Sequence, residues 1–217
     1  MVLTPDQHIV FFGDSVTDCD RDRASAGDPG LGLGYVRICQ AMLQARHPQS
    51  HIRITNRGVS GDRIYDLEER LQRDVLDICP DVVSILVGIN DTWQRYGTHK
   101  RTSPVPEFTA SYRRILSKIK TCTQATIIVC EPFLLPVPED RRAWREDLDP
   151  RRQAIRGLAE EFQTEFLPLD TIFTEAARSQ PAEAWAPDGV HPSAAGHGLI
   201  AKAWLELAQP APTDRAQ

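Results

Sequence analysis

Five short apolar runs alternate with helically spaced segments along the whole chain, and no other feature of the sequence limits the possible fold so strongly. The runs predicted to be strands occupy residues 8–12, 52–55, 82–87, 126–130 and 166–169. Strands that alternate with helices are typical of βαβ units around a parallel sheet. The third and fourth runs are nearly continuous Val, Ile and Leu, as expected for strands buried on both faces. The sequence therefore predicts an α/β fold with these two strands at the centre of the sheet.

Apolar residues recur at helical spacing between the strands, in segments 64–78, 108–119 and 155–162. A last helix is predicted to begin near Pro192, because proline suits the first turn of a helix. Its predicted core-facing residues are Leu199, Ile200, Ala203, Trp204 and Leu207. Two connections, 14–33 and 134–149, are longer than the roughly 2–6 residues usual in such units. We expect the charged 134–149 loop to cover a site or to join the subunits of a homo-oligomer.

The length of 217 residues fits one domain, because single hydrophobic cores stop growing only at roughly 250 residues. We predict that the domain spans residues 1–208 and that residues 209–217, rich in Ala and Pro, form a flexible tail. No apolar run approaches the ~20 residues needed to cross a bilayer, so no membrane partner is expected. The first residues lack a basic segment followed by a long apolar one, and we therefore expect a cytoplasmic location.

The charge pattern and the cysteines exclude several classes of function. The net charge is −5 with both signs interspersed, so the chain lacks the basic stripe that nucleic-acid binding requires. Small molecules are the expected partners. The five cysteines form an odd set without C-x-x-C spacing, which argues against a disulfide framework and against a zinc site. We predict reduced, mostly buried thiols.

The residues directly after each strand are the candidates for chemistry, because ligands of open α/β sheets bind outside the carboxyl ends of the strands. The first strand runs into Gly13-Asp14-Ser15, where a glycine permits a sharp turn and a serine hydroxyl follows. A serine is a poor nucleophile unless an imidazole removes its proton. Ser15 is therefore a candidate nucleophile in partnership with a histidine. Its alternative role is to cap a helix or to close a turn.

Among the six histidines, His191 is the candidate base because Asp188 precedes it by three residues in the same loop. This spacing can bring a carboxylate and an imidazole within hydrogen-bond reach, as a catalytic triad requires. The alternative is an ordinary helix N-terminal turn, in which Asp188 is the cap and His191 is incidental. The other five histidines are predicted to be structural or solvent-facing.

Two further strand ends offer hydrogen-bond donors for the oxyanion that forms in acyl transfer. Gly58 follows the second strand, where the absence of a Cβ lets a backbone N–H approach a substrate. Asn90, after the third strand, has an uncharged amide that donates without titrating. Each has a local alternative, Gly58 in a turn and Asn90 as a helix cap. The combination of both with the serine and the Asp/His pair favours a hydrolase.

Four segments resemble the sequence blocks of the SGNH (GDSL) hydrolase family, and they span nearly the whole chain. They are Gly13-Asp14-Ser15, Gly58, Gly88-Ile89-Asn90-Asp91 and Asp188-Gly189-Val190-His191-Pro192. The resemblance implies a single-domain, three-layer α/β/α fold with a flavodoxin-like parallel sheet of order 2-1-3-4-5. It implies a catalytic triad of Ser15, Asp188 and His191. The implied oxyanion hole consists of the Ser15 N–H, the Gly58 N–H and the Asn90 side chain, and no metal or other cofactor is expected.

Within that family, segments 13–19, 32–36 and 88–96 resemble bacterial intracellular acetylxylan and xylo-oligosaccharide esterases. The implied reaction is the hydrolysis of short acyl esters, and the implied substrate is an acetylated sugar. The predicted substrate-binding residues are Asp14, Tyr35, Trp93, Tyr96 and Trp185. Core packing is the alternative for the aromatic ones. Two other functions stay open: a lysophospholipase or thioesterase of the same family that takes longer acyl chains, and a non-catalytic flavodoxin-like binding module.

Overall fold

The central sheet contains five parallel strands. In the computed structural model, which describes residues 1–22, 30–97 and 103–210, they are β1 (His8–Gly13), β2 (Arg53–Gly58), β3 (Val82–Leu86), β4 (Thr126–Cys130) and β5 (Glu165–Leu167). Their order is β2-β1-β3-β4-β5, and every neighbouring pair is parallel. The predicted α/β class and strand order are thereby confirmed.

Helices connect the strands and cover both faces of the sheet. They are α1 (Ser15–Asp18), α2 (Tyr35–Arg46), α3 (Ile64–Asp74), α4 (Ile89–Tyr96), α5 (Val105–Cys122), α6 (Arg145–Glu161), α7 (Leu169–Ala176), α8 (Ala182–Trp185) and α9 (Ala194–Leu207). Two short 3₁₀ helices cover Leu76–Ile78 and Glu139–Trp144. The result is a three-layer α/β/α arrangement, as the resemblance implies.

The register of the strands brings their last residues to one edge. Gly13 of β1 pairs with Gly58 of β2 on one side and with Leu86 of β3 on the other. Leu86 in turn pairs with Cys130 of β4, which pairs with Leu167 of β5. Because these strands are parallel, the loops that follow them emerge together at this edge, which we call the rim.

The sheet separates two apolar cores. Side chains alternate across a strand, so Phe11 of β1 packs with residues of α2 and α9 on one face, while Phe12 packs with residues of α3 and α5 on the other. Trp204 of α9 is fully buried, with its ring centroid 5.0 Å from that of Phe11. Its indole N–H donates to Ser84 Oγ at 3.1 Å, and this hydrogen bond links α9 to the middle of β3.

Several boundaries differ from the prediction. Strand β2 ends at Gly58 rather than at residue 55, and β5 ends at Leu167, after which Leu169 begins α7. The predicted helix 64–78 ends at Asp74 and continues as a 3₁₀ turn. The last helix starts at Ala194 rather than Pro192, because Ser193 is its N-cap and accepts a hydrogen bond from the Gly196 N–H.

The segment 134–149 is not a loop throughout, since it contains a 3₁₀ helix and the first turn of α6. Helices α1, α2, α4, α7 and α8 were absent from the prediction. The predicted tail begins in a short parallel sheet, in which Gln209–Pro210 pairs with Val2–Leu3. Residues 211–217 lie outside the described residues. In the described ranges, no helix is long and apolar enough to cross a lipid bilayer.

Candidate active site

Ser15, His191 and Asp188 form a continuous chain of hydrogen bonds at the rim. Ser15 is the first residue of α1, close after β1, and its Oγ lies 3.0 Å from His191 Nε2. His191 Nδ1 lies 2.8 Å from Asp188 Oδ2. This geometry suits an imidazole that carries its proton on Nδ1, toward the carboxylate, and accepts the serine proton at Nε2. The structure thus brings together the three residues of the predicted triad.

The loop that carries Asp188 and His191 holds the carboxylate and the imidazole in a fixed relation. Asp188 Oδ1 accepts hydrogen bonds from the backbone N–H groups of Val190 and His191, at 3.0 and 2.7 Å. Gly189 has a φ of +80°, and a Cβ there would collide with the Leu135 carbonyl, so glycine is required. The Gly189 carbonyl accepts from the Leu135 N–H at 2.9 Å, which ties this loop to the segment after β4.

Hydrogen bonding controls the ionisation of this pair. Burial alone would raise the pKa of Asp188, but the bonds from the His191 ring and from two backbone N–H groups outweigh burial and hold that pKa well below its usual range. The hydrogen bond to Asp188 raises the pKa of His191 above its ordinary value, against the opposing effect of burial. Asp188 is therefore an anion at neutral pH, and it stabilises the protonated form of His191.

A cavity of about 580 Å³ opens over Ser15 and His191. The loops after β1, β2 and β3 and the N-terminal part of α9 contribute to its walls. Its lining includes Ser15, Gly61, Asn90, Trp93, His191 and His197. The rim therefore offers a volume large enough for a small ester, with the serine hydroxyl facing it.

His197 lines this cavity without the chemistry of a base. Its Nδ1 accepts the Tyr35 N–H at 3.2 Å, so a neutral ring carries its proton on Nε2, which lies 3.3 Å from Cys19 Sγ. Burial lowers the pKa of His197 to about 4, so the ring is neutral at pH 7. The sequence offered no signal for this role, because no carboxylate stands near His197 in the chain.

Asn90 lies in the cavity with Ser15 and can donate to a developing oxyanion. One hydrogen of its Nδ2 goes to the Asp62 carbonyl at 3.0 Å, which orients the amide. A side-chain amide has two hydrogens on nitrogen, and the second stays available. The Ser15 N–H, the first of α1, is a further donor beside the hydroxyl.

Gly58 does not have the position predicted for it. It is the last residue of β2, it is buried, and its N–H donates to Asn56 Oδ1 at 2.8 Å. A Cβ on Gly58 would collide with the backbone of Asp18, so this glycine allows α1 to pack closely on β2. Since its N–H already has an acceptor, the prediction that Gly58 donates to an oxyanion is corrected.

Gly61 is the glycine that this segment presents to the cavity. It lies in the turn after β2 with a φ of +88°, and within the described residues no acceptor binds its N–H. Asp18 holds the turn by accepting hydrogen bonds from the Ser60 N–H and hydroxyl, at 3.0 and 2.9 Å. The sequence contains both Gly58 and Gly61. To predict which of the two presents its N–H to the cavity, one must know where β2 ends.

Asp14 and Tyr35, two of the predicted substrate-binding residues, are buried and do not line the cavity. Asp14 caps α1 by accepting the Val16 N–H at 3.0 Å, and burial raises the pKa of its carboxyl to about 7. The Tyr35 hydroxyl bonds to Thr17 Oγ1 at 2.9 Å inside the core shared with α9. Both residues support the backbone around the serine, and their predicted role in binding is corrected.

Of the predicted aromatic residues, Trp93 lines the cavity, whereas Tyr96 and Trp185 do not. The Trp93 ring centroid lies 5.7 Å from that of His191. Tyr96 stacks on Trp144 with centroids 5.5 Å apart, and Trp185 is half-buried against the core. Trp144, which the sequence did not single out, also meets Trp93 edge-on at 5.2 Å. Trp93 is therefore the one predicted aromatic residue in the cavity wall, and Trp144 packs against it from a distant segment.

The described residues contain no group of three or more His, Cys, Asp or Glu side chains placed to hold a metal ion. The five cysteines are free thiols. Two of them, Cys39 and Cys130, are buried, while Cys79 and Cys122 are exposed at helix ends, so the prediction of mostly buried thiols is wrong.

Comparison with known proteins finds similar chains over almost the full length. Residues 11–199 match the model of the GDSL-like Lipase/Acylhydrolase family. The chain is 35% identical over 210 residues to the acetylxylan esterase of Geobacillus stearothermophilus, with 94% of this chain and 95% of that protein covered. A crystal structure of Axe2, an acetylxylan esterase from the same organism, matches with a TM-score of 0.87 at 33% identity and covers 95% of this chain and 96% of its own.

Three further solved structures are of catalytic mutants of Axe2, in which a serine, an aspartate or a histidine is replaced by alanine. They match this chain with TM-scores of 0.87, 0.86 and 0.84, at 33%, 34% and 31% identity, and each alignment covers at least 95% of both chains. The three residue types are the same as those in the hydrogen-bonded chain at the rim of this molecule.

Proposed function

The chain belongs to the GDSL-like lipase/acylhydrolase family and is a carboxylic ester hydrolase, and we propose that it removes acetyl groups from saccharides such as acetylated xylo-oligosaccharides through an acyl-enzyme. The observation that carries the proposal is the chain of hydrogen bonds from Ser15 through His191 to Asp188, with the serine facing the cavity. A serine activated in this way is the nucleophile that acyl transfer requires.

In the first half of the proposed reaction, His191 Nε2 takes the proton from Ser15 Oγ as this oxygen attacks the ester carbonyl carbon. The charge that develops on the carbonyl oxygen is stabilised by the N–H groups of Ser15 and Gly61 and by the Asn90 amide. The tetrahedral intermediate then collapses, the protonated His191 donates its proton to the departing alcohol, and an acetyl group remains on Ser15. Asp188 stays ionised and orients the imidazole throughout.

In the second half, water replaces the alcohol. His191 Nε2 takes a proton from the water as its oxygen attacks the acetyl carbonyl carbon, and the same donors stabilise the second oxyanion. Collapse breaks the bond to Ser15 Oγ, which recovers its proton from His191. Acetate and a deacetylated saccharide are the products, and the enzyme returns to its starting state.

The proposed substrate is supported by similarity and by the cavity wall. The curated relative is an acetylxylan esterase by name. Trp93 lines the cavity with its ring centroid 5.7 Å from that of His191, so the C–H face of a sugar can pack on this ring. Members of one fold family act on different esters, and their preference for acyl-chain length distinguishes them.

The first test is Ser15→Ala, assayed with p-nitrophenyl acetate. We expect kcat to fall at least about 10⁴-fold, because the nucleophile is lost while binding remains. A fluorophosphonate should label the wild type and not the variant. Ser179→Ala, which changes an exposed hydroxyl far along the chain, is the matched control and should keep full activity. Activity retained by Ser15→Ala, or a wild type that resists labelling, contradicts the proposal.

The second test separates acetyl from longer acyl substrates. We expect kcat/KM to fall steeply from p-nitrophenyl acetate to the octanoate, and we expect acetate to be released from acetylated xylo-oligosaccharides. A preference for octanoyl esters, with no acetate released from the saccharides, would instead identify an enzyme of lysophospholipase or thioesterase type.

A further inference from the structure

A second cavity, of about 320 Å³, lies next to the candidate active site and is unusually rich in arginine. Four of its nine lining residues are arginines, and none of the lining residues is acidic: the arginines are Arg141, Arg142, Arg145 and Arg178. The rest of the wall is mostly apolar and comes from residues 134–136, Thr174 and Ala177. Four guanidinium groups around an apolar hollow form a surface suited to an anion on an organic ring or chain.

We propose that this cavity binds the carboxylate of an acidic sugar unit that neighbours the esterified one, so that acidic acetylated saccharides are preferred substrates. The part of this inference that places an esterified sugar beside the carboxylate rests on the proposed function. The underlying chemistry, a guanidinium-lined site for an oxyanion, also fits a free anion such as phosphate.

Arg141 is the central residue of this site. Its guanidinium carbon lies 4.2 Å from the centroid of Trp93 and 4.4 Å from that of Trp144, so the two tryptophans hold it by cation–π contact. Within the described part of the chain no ion pair involves Arg141, and its Nη1 is buried without a hydrogen-bond partner. A stacked guanidinium keeps its edge for in-plane hydrogen bonds, which is the geometry that binds a carboxylate with two donors.

Each of the other three arginines pairs with a carboxylate outside the cavity lining, and for Arg142 the partner is Glu139 at 3.9 Å. Arg145 pairs with Asp170 at 2.8 Å and also bonds to the Leu134 carbonyl, so its position in the wall is fixed. Arg178 pairs with Glu175 at 2.8 Å, and both side chains are highly exposed. Exposed ion pairs of this kind contribute little to stability. The Arg178 side chain can therefore reorient toward an incoming anion at a small cost in free energy.

Trp93 connects this cavity to the ester chemistry. Trp93 lines the larger cavity, where its ring centroid lies 5.7 Å from that of His191. The Arg141 guanidinium packs over the same Trp93 ring. The anion site is therefore separated from the reacting groups by a single aromatic ring. A saccharide that lies across Trp93 can place its ester at Ser15 and a carboxylate of the adjoining unit at Arg141.

The test compares acetylated xylo-oligosaccharides with and without a uronic acid substituent. In the wild type we expect kcat/KM to be about tenfold higher for the acidic substrate, as a charge-assisted hydrogen bond provides, and to lose most of this preference in 0.5 M NaCl. In Arg141→Met we expect the ratio to fall to about one. Arg113→Met removes an exposed arginine that pairs with Glu161 and does not line this cavity, and it should keep the tenfold ratio.

A second arm distinguishes the source of the anion. Ser15→Ala is titrated by calorimetry with D-glucuronate and with inorganic phosphate, so that binding is measured without turnover. If the wild-type ratio is near one while either probe binds and adding Arg141→Met abolishes that binding, the preference for acidic saccharides is wrong and the cavity binds a free anion instead. No binding of either probe and a wild-type ratio near one overturns the inference. Because p-nitrophenyl acetate hydrolysis is measured in parallel, failure of the proposed function is seen separately.

Discussion

At the scale of single residues, the ionisation of His191 decides when the proposed base can work. The charged groups that face it are Asp188 and Asp14, which raise its pKa, and Arg141, which lowers it, with the hydrogen bond to Asp188 the largest effect. The ring must be neutral to accept the serine proton, so activity is absent below this pKa and rises with pH through it. The raised pKa places this rise above the ordinary histidine value.

Asp188→Asn is the variant that checks this ionisation. Loss of the carboxylate removes the largest cause of the raised pKa, so we expect the acid limb of kcat/KM against pH to move to lower pH. We also expect kcat to fall about 10⁴-fold, because the asparagine no longer selects the required tautomer. The measurement is a pH–rate profile with p-nitrophenyl acetate. An acid limb unmoved by the substitution would assign it to another group.

Asn90 and Asn56 illustrate two uses of the same side chain. Asn90 faces the cavity, so Asn90→Ala should reduce kcat by about 10²- to 10³-fold with little change in KM or thermal stability, as the loss of one oxyanion donor does. Asn56 instead bonds to the Thr17 and Leu31 carbonyls and accepts the Gly58 N–H. Asn56→Ala should therefore lower Tm. Equal kcat losses with equal Tm losses in both variants would contradict the distinction.

At the scale of elements, glycine controls how closely β1 and α1 approach their neighbours. A Cβ on Gly13 would collide with the Leu86 carbonyl and with Thr17 Oγ1, whereas a Cβ on Gly157, inside α6, would meet nothing within 4 Å. We expect Gly13→Ala to destabilise the fold by about 2 kcal/mol or more. Gly157→Ala should stabilise it by about 0.5–1 kcal/mol, because alanine favours the helix. Urea unfolding of both variants measures the two effects, and the same sign for both would contradict this account.

The elements differ in how far the sequence could predict them. Strands β3 and β4 were predicted almost to the residue, because burial on both faces makes them continuous in Val and Ile. Strand β2 is an edge strand with polar residues to its end, so only its pairing with β1 reveals that it reaches Gly58. Helix α2 was missed although its buried residues Tyr35, Cys39 and Leu43 recur every four positions.

The residues of the candidate site also differ in how far the sequence could predict them. Ser15, His191 and Asp188 could be predicted as a group because their segments together resemble the blocks of one family, although each position alone also had a local structural alternative. The choice of Gly61 over Gly58 depends on where a strand ends, and the burial of Tyr35 depends on packing against α9. Those two facts arise from tertiary structure, which local spacing does not encode.

At the scale of the whole molecule, stability depends on two cores that share one sheet. Trp204 is fully buried, so Trp204→Ala should cost about 3–5 kcal/mol, the range for deleting a large aromatic side chain. Trp204→Phe should cost less, because the ring remains against Phe11 and only the bond to Ser84 is lost. The measurement is the free energy of unfolding in urea. If Trp204→Ala lowers the free energy of unfolding by less than about 1 kcal/mol, this core contributes little to the stability of the protein.

The Asp188 carboxylate and the His191 imidazole share one loop, so their position relative to the Ser15 hydroxyl changes as a unit when that loop moves. Asp188 binds both the ring and the backbone of His191. A rigid shift of that loop therefore keeps these hydrogen bonds and changes the distance between His191 Nε2 and Ser15 Oγ. A compound bound between Leu135 and Gly189 would thus stop turnover while the hydrogen bond between His191 Nδ1 and Asp188 persisted.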